Sequence, residues 1–417
     1  MSKSEQGIRH PELEDGIIRI VREKLLGRRR PPSLPTELNA SSLAVLSARL
    51  LLDLSPAASK TREYEEEMVR AHLRLLYSVR ANQETMVTGS SPEPLIAEAA
   101  ARIMHHTLDS GKPYMDVWNL LTQFVEQGLL LQGTIGELLG RYISISAMDH
   151  HILSKPTPPL KLQYQIPVTV VDYYKALLTD AAWGRLRKSV PANGTDLTAE
   201  SAQKTFEDAF ANAYLHFSHY GKANDISPMQ VHCGWAHWLR GTAILFQLNQ
   251  ELTDRALPIY FPGLGNVSPQ SMSMILEQDK VGESVDPASI GIPSAEALDV
   301  FLRGEPRPYI ATVHCYALTT DEGIKVTDPH SHDVCHQTRD INAPRYQIDF
   351  RGLAPYRDLT ETIKNDIRSM IDGSKNMLFN HHPRQYGLGL LRQMQPMLAG
   401  DSDATAWFGG PSKLHAQ

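Results

Sequence analysis

The stretch Ser154-Lys155-Pro156-Thr157-Pro158-Pro159 limits the architecture more than any other part of this chain. Its clustered prolines lack backbone donors and fix φ, so neither a helix interior nor a central strand can run through them. The hydrophobic period differs on its two sides. Upstream, Leu43, Val45, Leu46, Leu50 and Leu51 make one helical stripe, and Met68, Leu73, Leu75, Leu76 and Val79 make a second behind the acidic start Glu63 to Glu67. Pro92 and Pro94 open a further helix through Ile103 to Leu108, and Tyr114 to Leu131 and Ile135 to Ile152 supply two more. Downstream, helical stretches are expected at Val168–Lys188, Thr198–Tyr220 and Met229–Asp254. The period then shortens to that of strands at Leu257–Phe261, Met272–Glu277, Tyr309–Leu318 and Arg345–Phe350, with helices near Ala295–Leu302, Thr360–Ile371 and Leu388–Leu398.

The pattern predicts an α+β protein: an N-terminal all-α bundle or short helical array, then an α/β domain with a mixed sheet of about four to six strands. The expected boundaries are a flexible tail over 1–40 with a basic patch at Arg28-Arg29-Arg30, a helical domain over 41–153, a proline-rich linker over 154–167, an α/β domain over 168–400 and a tail over 401–417.

Composition narrows the class of function only by exclusion. No apolar run approaches the ~20 residues of a membrane span, and the first residues lack the apolar core of a secretory signal. Cys233, Cys315 and Cys335 are too few for a disulfide framework, so an intracellular protein, cytoplasmic or nuclear, is expected. The net charge of −6 over 417 residues gives no overall basic field and disfavours strong nucleic-acid binding.

The best chemical constellation runs from Asp254 to Lys280. An acid leads into one strand, and the next strand ends Glu277-Gln278-Asp279-Lys280. Residues i and i+2 share a strand face, so Gln278 and Lys280 point one way and Glu277 and Asp279 the other. An Asp followed by an acid-x-Lys strand is the layout of the PD-(D/E)xK nuclease core, in which two acids hold a divalent cation and the lysine acts on the attacking water. Asp254, Gln278 and Lys280 are the candidate catalytic residues, and Asp254 with Glu277 the candidate ligands of Mg²⁺. Gln278 stands where the second acid belongs, and a one-residue bulge would turn Glu277 or Asp279 inward instead.

A second set, His314, Cys315, His330, His332, Cys335 and His336, has the residue types of a zinc site without the paired spacing of one. The doublets His105-His106, His150-His151 and His381-His382 sit at expected helix ends and need no metal. Ser201 to Lys204 matches S-x-x-K without its partner motifs, and no G-x-S-x-G, P-loop or G-x-G-x-x-G is present.

The stretch from Leu54 to Tyr77 (LSPAASKTREYEEEMVRAHLRLLY) resembles a large, lineage-expanded group of uncharacterised basidiomycete fungal proteins. The likeness continues at Pro92–Ala101 (PEPLIAEAAA), Phe124–Leu129 (FVEQGL), Trp238–Gly241 (WLRG), Arg307–Thr312 (RPYIAT), Pro344–Tyr346 (PRY), His382–Arg384 (HPR) and Leu391–Pro396 (LRQMQP). The group brings no activity with it. Its members are typically longer, and some look like the nuclease-like ends of mobile-element-associated or Crinkler-type multidomain proteins. The resemblance implies a degenerate restriction-endonuclease-like core, in which Asp254, Gln278 and Lys280 match the group's pattern while Leu276, Glu277 and Asp279 depart from it. On this reading the chain is expected to be an interaction or binding module on a nuclease-like scaffold, without a cofactor and with a protein partner at the helical domain. The alternatives are a metal-dependent nuclease acting on DNA or RNA, which would need Mg²⁺, and a zinc-binding protein.

Overall fold

A computed structural model describes residues 11–27, 38–55, 59–79, 86–107, 115–130, 134–155, 162–194, 197–223, 233–246, 253–281, 307–319, 322–327 and 343–375. The helices expected at Ala295–Leu302 and Leu388–Leu398, the arginine patch, the C-terminal tail and His330 to His336 lie outside the described residues.

In chain order the elements are α1 (Pro11–Leu25), α2 (Ala40–Leu50), α3 (Ser59–Ala71), β1 (Arg74–Val79), β2 (Met86–Ser90), α4 (Pro94–Met104), α5 (Val117–Glu126) and α6 (Ile135–Ser154). There follow β3 (Val168–Thr169), α7 (Val170–Leu177), α8 (Asp180–Leu186), α9 (Ala199–Gln203), α10 (Phe206–Phe210), β4 (Tyr214–Leu215), β5 (His219–Lys222), α11 (Gly234–Leu239) and β6 (Thr242–Leu245). The last are β7 (Arg255–Tyr260), β8 (Met272–Lys280), β9 (Tyr309–Cys315), β10 (Gly323–Val326), β11 (Arg345–Arg351) and α12 (Glu361–Lys375).

Among the described residues the protein is a mixed α/β structure with a nine-stranded mixed sheet and a small antiparallel one. The helix expected through Met68 to Val79 stops early. Leu73 takes a left-handed φ of 61°, which a helix cannot continue through, and Arg74–Val79 instead pairs antiparallel with Met86–Ser90. The long helices expected downstream are likewise broken into short ones. Thr169, Thr179, Thr198 and Thr205 each cap a new helix by accepting a backbone N–H, so each threonine restarts the chain in a fresh direction.

The four strands expected from the pattern form the middle of the large sheet. β7 is antiparallel to β8, β8 parallel to β9, β9 parallel to β11, and β11 antiparallel to β10. On its other side β7 forks, pairing with β6 at Arg255 and Ala256 and with β4 at Ile259 and Tyr260. Pro258, which has no N–H to give a ladder, falls in the gap of the fork. β5 then joins β6, and β3 joins β4.

One apolar core runs from Ile18 to Ile371, on both sides of the proline segment, and α6 lies across the β8 face of that core. The opposite sheet face carries a smaller cluster including Ile244, Ala256, Met274, Leu276, Ala311 and Val313, with α11 over Met274. Two buried ionic joints tie the helices together. Arg49 grips Asp149 with both terminal nitrogens, at 2.5 and 2.9 Å. Glu98, fully buried on α4, accepts the N–H groups of Gln163 and Tyr164 at 3.0 and 2.8 Å and so anchors the chain where it leaves the proline segment.

Candidate functional site

Asp254 stands at the entrance to β7, and its position there is set by a local slip in pairing. Arg255 is the register partner of Glu277, yet the Asp254 N–H also ends on the Glu277 carbonyl, at 2.9 Å. Two residues of one strand thus meet one of the other, which is the geometry of a bulge, on the Asp254 strand rather than on β8. The Asp254 carboxylate is swung onto the end of β8, where Oδ2 accepts the backbone N–H of Asp279 at 2.6 Å. Asp279 is the residue between Gln278 and Lys280, so three of the expected site residues meet at one corner.

Gln278 and Lys280 occupy the sheet face away from α6. The parallel register sets Gln278 beside Val313 and Asp349, and Lys280 beside Cys315 and Arg351. Lys325 stands opposite Asp349 on the next strand. A row of cationic and amide side chains therefore lies at the carboxyl ends of parallel strands, the part of an open α/β sheet where ligands ordinarily bind. Cys315 is no nucleophile there: burial, and then the charge of Asp349, push its thiol up to about 11.

Glu277 does not share that face. Its side chain points under α6, where Oε2 lies 3.1 Å from Arg255 Nε and Oε1 lies 3.5 Å from His314 Nε2. Burial would raise this carboxyl, but Arg255 and His314 hold it below its ordinary range. The expected pairing of Asp254 with Glu277 as two ligands of one cation is corrected by this arrangement, because Glu277 is committed to Arg255 on the other side of the sheet. Asp279 is held on the same side by Arg255 and by Tyr316, whose hydroxyl donates to Oδ1 at 2.7 Å.

A second acid with a raised pKa comes from α6, on the Glu277 side of the sheet. Glu137 is half-buried on its first turn. Burial raises its pKa to about 7, with the charges of Asp254, Asp279 and Asp53 adding to the rise and Arg141 opposing it. Asp254 rises to about 6, through burial and then the charge of Asp279, against Lys280 and Arg255. The helix reaches so close because Gly136 and Gly140 face β8. A Cβ on Gly136 would lie 3.0 Å from Val281, and one on Gly140 would strike Asp279 and the Arg255 guanidinium. The G-x-x-x-G spacing of Gly136 and Gly140 was a signal for this approach that the sequence analysis did not use.

The zinc candidates separate. His314 and Cys315 are neighbours on β9 and so face opposite sides of the sheet, with His314 Nδ1 2.7 Å from the Tyr356 hydroxyl inside a stack of Phe350, Tyr316 and Tyr356. Among the described residues no three His, Cys, Asp or Glu side chains are grouped to hold a metal ion by themselves. Of the doublets, His105 bonds through Nε2 to Asp149, at 2.6 Å, as part of the Arg49 joint. No helix among the described residues is long and apolar enough to cross a membrane. No family model, curated protein or solved structure matches the chain.

Proposed function

We propose that the chain is a restriction-endonuclease-like protein of the basidiomycete group, with Asp254, Gln278 and Lys280 as a divalent-cation-dependent site for cleaving phosphodiesters in nucleic acid. One observation carries the reading: the Asp254 carboxylate bonds the backbone of the residue between Gln278 and Lys280.

The donor set fits Mg²⁺, which takes oxygen ligands and is satisfied by one or two carboxylates, leaving waters and substrate oxygens for the rest. Asp254 would hold it, with the Gln278 carbonyl as a neutral second oxygen. When bound, the cation would neutralise charge that builds on the phosphate. Lys280 would orient the attacking water and offset the same charge. Arg351, in register with Lys280 across Cys315, would bind the phosphate of the next nucleotide. Arg255 and Asp279 keep the two strands in the register that brings Asp254 to Lys280. A cytosolic or nuclear location goes with this reading, and the free thiols of Cys233 and Cys315 are consistent with it.

A second reading keeps the scaffold and drops the chemistry. Asp254 Oδ2 already serves the Asp279 N–H, Gln278 is neutral, and Leu75, Leu76, Tyr77, Val79 and Val87 of the β1–β2 hairpin are more than 40% exposed, as a protein-binding surface would be. The test is a cleavage assay on single- and double-stranded DNA and RNA with Mg²⁺ or Mn²⁺. The nuclease reading expects metal-dependent cuts that Lys280→Ala and Asp254→Asn abolish. Binding without cleavage by the wild-type chain leaves the second reading.

A further inference from the structure

Past Glu277 the end of β8 loses its neighbour on one side. The β7–β8 register stops at Arg255 and Glu277, with one added bond from the Asp254 N–H to the Glu277 carbonyl. β9 continues as far as Cys315, beside Lys280. Among the described residues, Gln278, Asp279 and Lys280 are therefore laddered to β9 alone. Side chains replace backbone pairing on the β7 side: Asp254 Oδ2 accepts the Asp279 N–H at 2.6 Å, and Arg255 Nη2 donates to Asp279 Oδ1 at 3.2 Å. We propose that Tyr316 is a positioning residue for Lys280 and Asp254, on which it acts through Asp279. Its kinetic role rests on the phosphodiester reading above; its hold on Asp279 does not.

Tyr316 touches both of the last two residues of β8. Its N–H donates to the Lys280 carbonyl at 3.0 Å, and its hydroxyl donates to Asp279 Oδ1 at 2.7 Å. Successive residues of a strand face opposite ways, so the Asp279 side chain lies under α6 and that of Lys280 on the other face. A turn of the strand about its own axis moves both at once. If the Asp279 carboxylate slips, Lys280 swings across its face and the Asp279 N–H leaves Asp254.

Arg255 does not prevent that slip by itself. Its guanidinium is shared among Glu277 at 3.1 Å, Ser144 Oγ at 2.9 Å and Asp279, so it supplies charge without selecting one carboxylate position. A hydroxyl has a single proton to donate, and Tyr316 spends it on Asp279. The direction of that bond is set by the ring, which is 1% exposed. The ring stacks with His314 and with Tyr356, at 5.8 and 6.2 Å between centroids. The Gly352 N–H on the Cys315 carbonyl, at 2.9 Å, holds the backbone just before it. An orienting bond behind a reacting group is typically worth about tenfold to a hundredfold, and a displacement of about 1 Å costs a similar amount.

Tyr356 supplies a matched control. It belongs to the same stack, but its hydroxyl goes to His314 Nδ1, at 2.7 Å, rather than to Asp279. Changing either tyrosine to phenylalanine keeps a ring in the stack and removes one buried hydroxyl. A merely structural role for Tyr316 predicts equal effects.

The test is steady-state cleavage of a labelled single strand with Mn²⁺ by the full chain, in wild type, Tyr316→Phe and Tyr356→Phe, together with amide exchange of all three. Tyr316→Phe should lower kcat roughly tenfold to a hundredfold with KM kept within about twofold, and should quicken exchange of the Asp279 amide. Tyr356→Phe should keep kcat within about twofold and leave that amide unchanged. Equal kcat losses in the two variants, cutting by Tyr316→Phe as fast as wild type, or unchanged Asp279 exchange in Tyr316→Phe overturns the proposal. A wild-type chain that cuts nothing overturns the nuclease reading instead, and the Asp279 exchange still decides whether Tyr316 holds the strand.

Discussion

Arg255 and Asp279 hold each other across the β7–β8 pair, Nε to Oδ2 at 3.1 Å and Nη2 to Oδ1 at 3.2 Å, with both side chains shut off from solvent. Asp254, the residue before Arg255, accepts the N–H of that same Asp279. Two successive residues of one strand therefore grip one residue of the next, by side chain on one face and by backbone on the other.

Breaking that grip on one side leaves a buried charge uncompensated. Asp279→Ala should cost about 3–5 kcal/mol in urea unfolding at pH 7, and Arg255→Met at least as much, since it strands both Glu277 and Asp279. The double change Arg255→Met with Asp279→Leu should recover part of the loss. Additive costs in the double variant would contradict the coupling.

The two α6 glycines are needed for space, not for flexibility. Gly140→Ala drives a methyl into the Asp279–Arg255 pair and should destabilise by about 1–3 kcal/mol. Gly16→Ala, in α1 with nothing within 4 Å of its added Cβ, should stabilise by about 0.5–1 kcal/mol through helix propensity. Thermal melts of the two variants side by side check the contrast.

Much of the centre of the sheet was legible because β7, β8, β9 and β11 are apolar runs bounded by Gly, Pro or charged turns, and alternation put Gln278 and Lys280 on one face. The rim was not. β3 and β4 have two residues each and β5 and β6 four, too short to show any period, and Leu73 to Val79 is spaced so that helix and strand templates fit alike. The Asp254 slip leaves no trace in composition. Glu137 was missed for another reason: it lies far upstream on a helix, and its neighbours Gly136 and Gly140 look like helix weakeners until the strand that they admit is in view.

The Glu98 joint predicts a local effect. Glu98→Ala strands the N–H groups of Gln163 and Tyr164, at a cost of about 1–3 kcal/mol. Amide exchange at those two positions should quicken well before that of Ile275 and Leu276 in the sheet. Uniform quickening across the chain would show the joint to be global instead.

The acids make stability depend on pH in two opposed ways. Asp149 is depressed to about 2: burial alone would raise it, and Arg49 and His105 outweigh burial, so its contribution is present above the unfolded value near 4 and is lost as pH falls toward 2. Glu137 and Asp254 are raised, so the folded state holds protons that the unfolded state has released, and stability falls as pH rises from about 4 to 7. Glu137→Gln should flatten the fall between pH 4.5 and 7.5. Mg²⁺ should raise the melting temperature more at pH 8, where both acids are ionised, than at pH 5.

The most direct test of the proposed site is a cleavage assay on labelled single-stranded DNA and RNA at pH 8 with Mn²⁺, comparing wild type with Asp254→Asn and Lys280→Ala. The account predicts metal-dependent cutting by the wild type and a loss of at least about a hundredfold in each variant. Cutting that survives Asp254→Asn and Lys280→Ala alike, or no cutting by a wild-type chain that binds the strand, would contradict it.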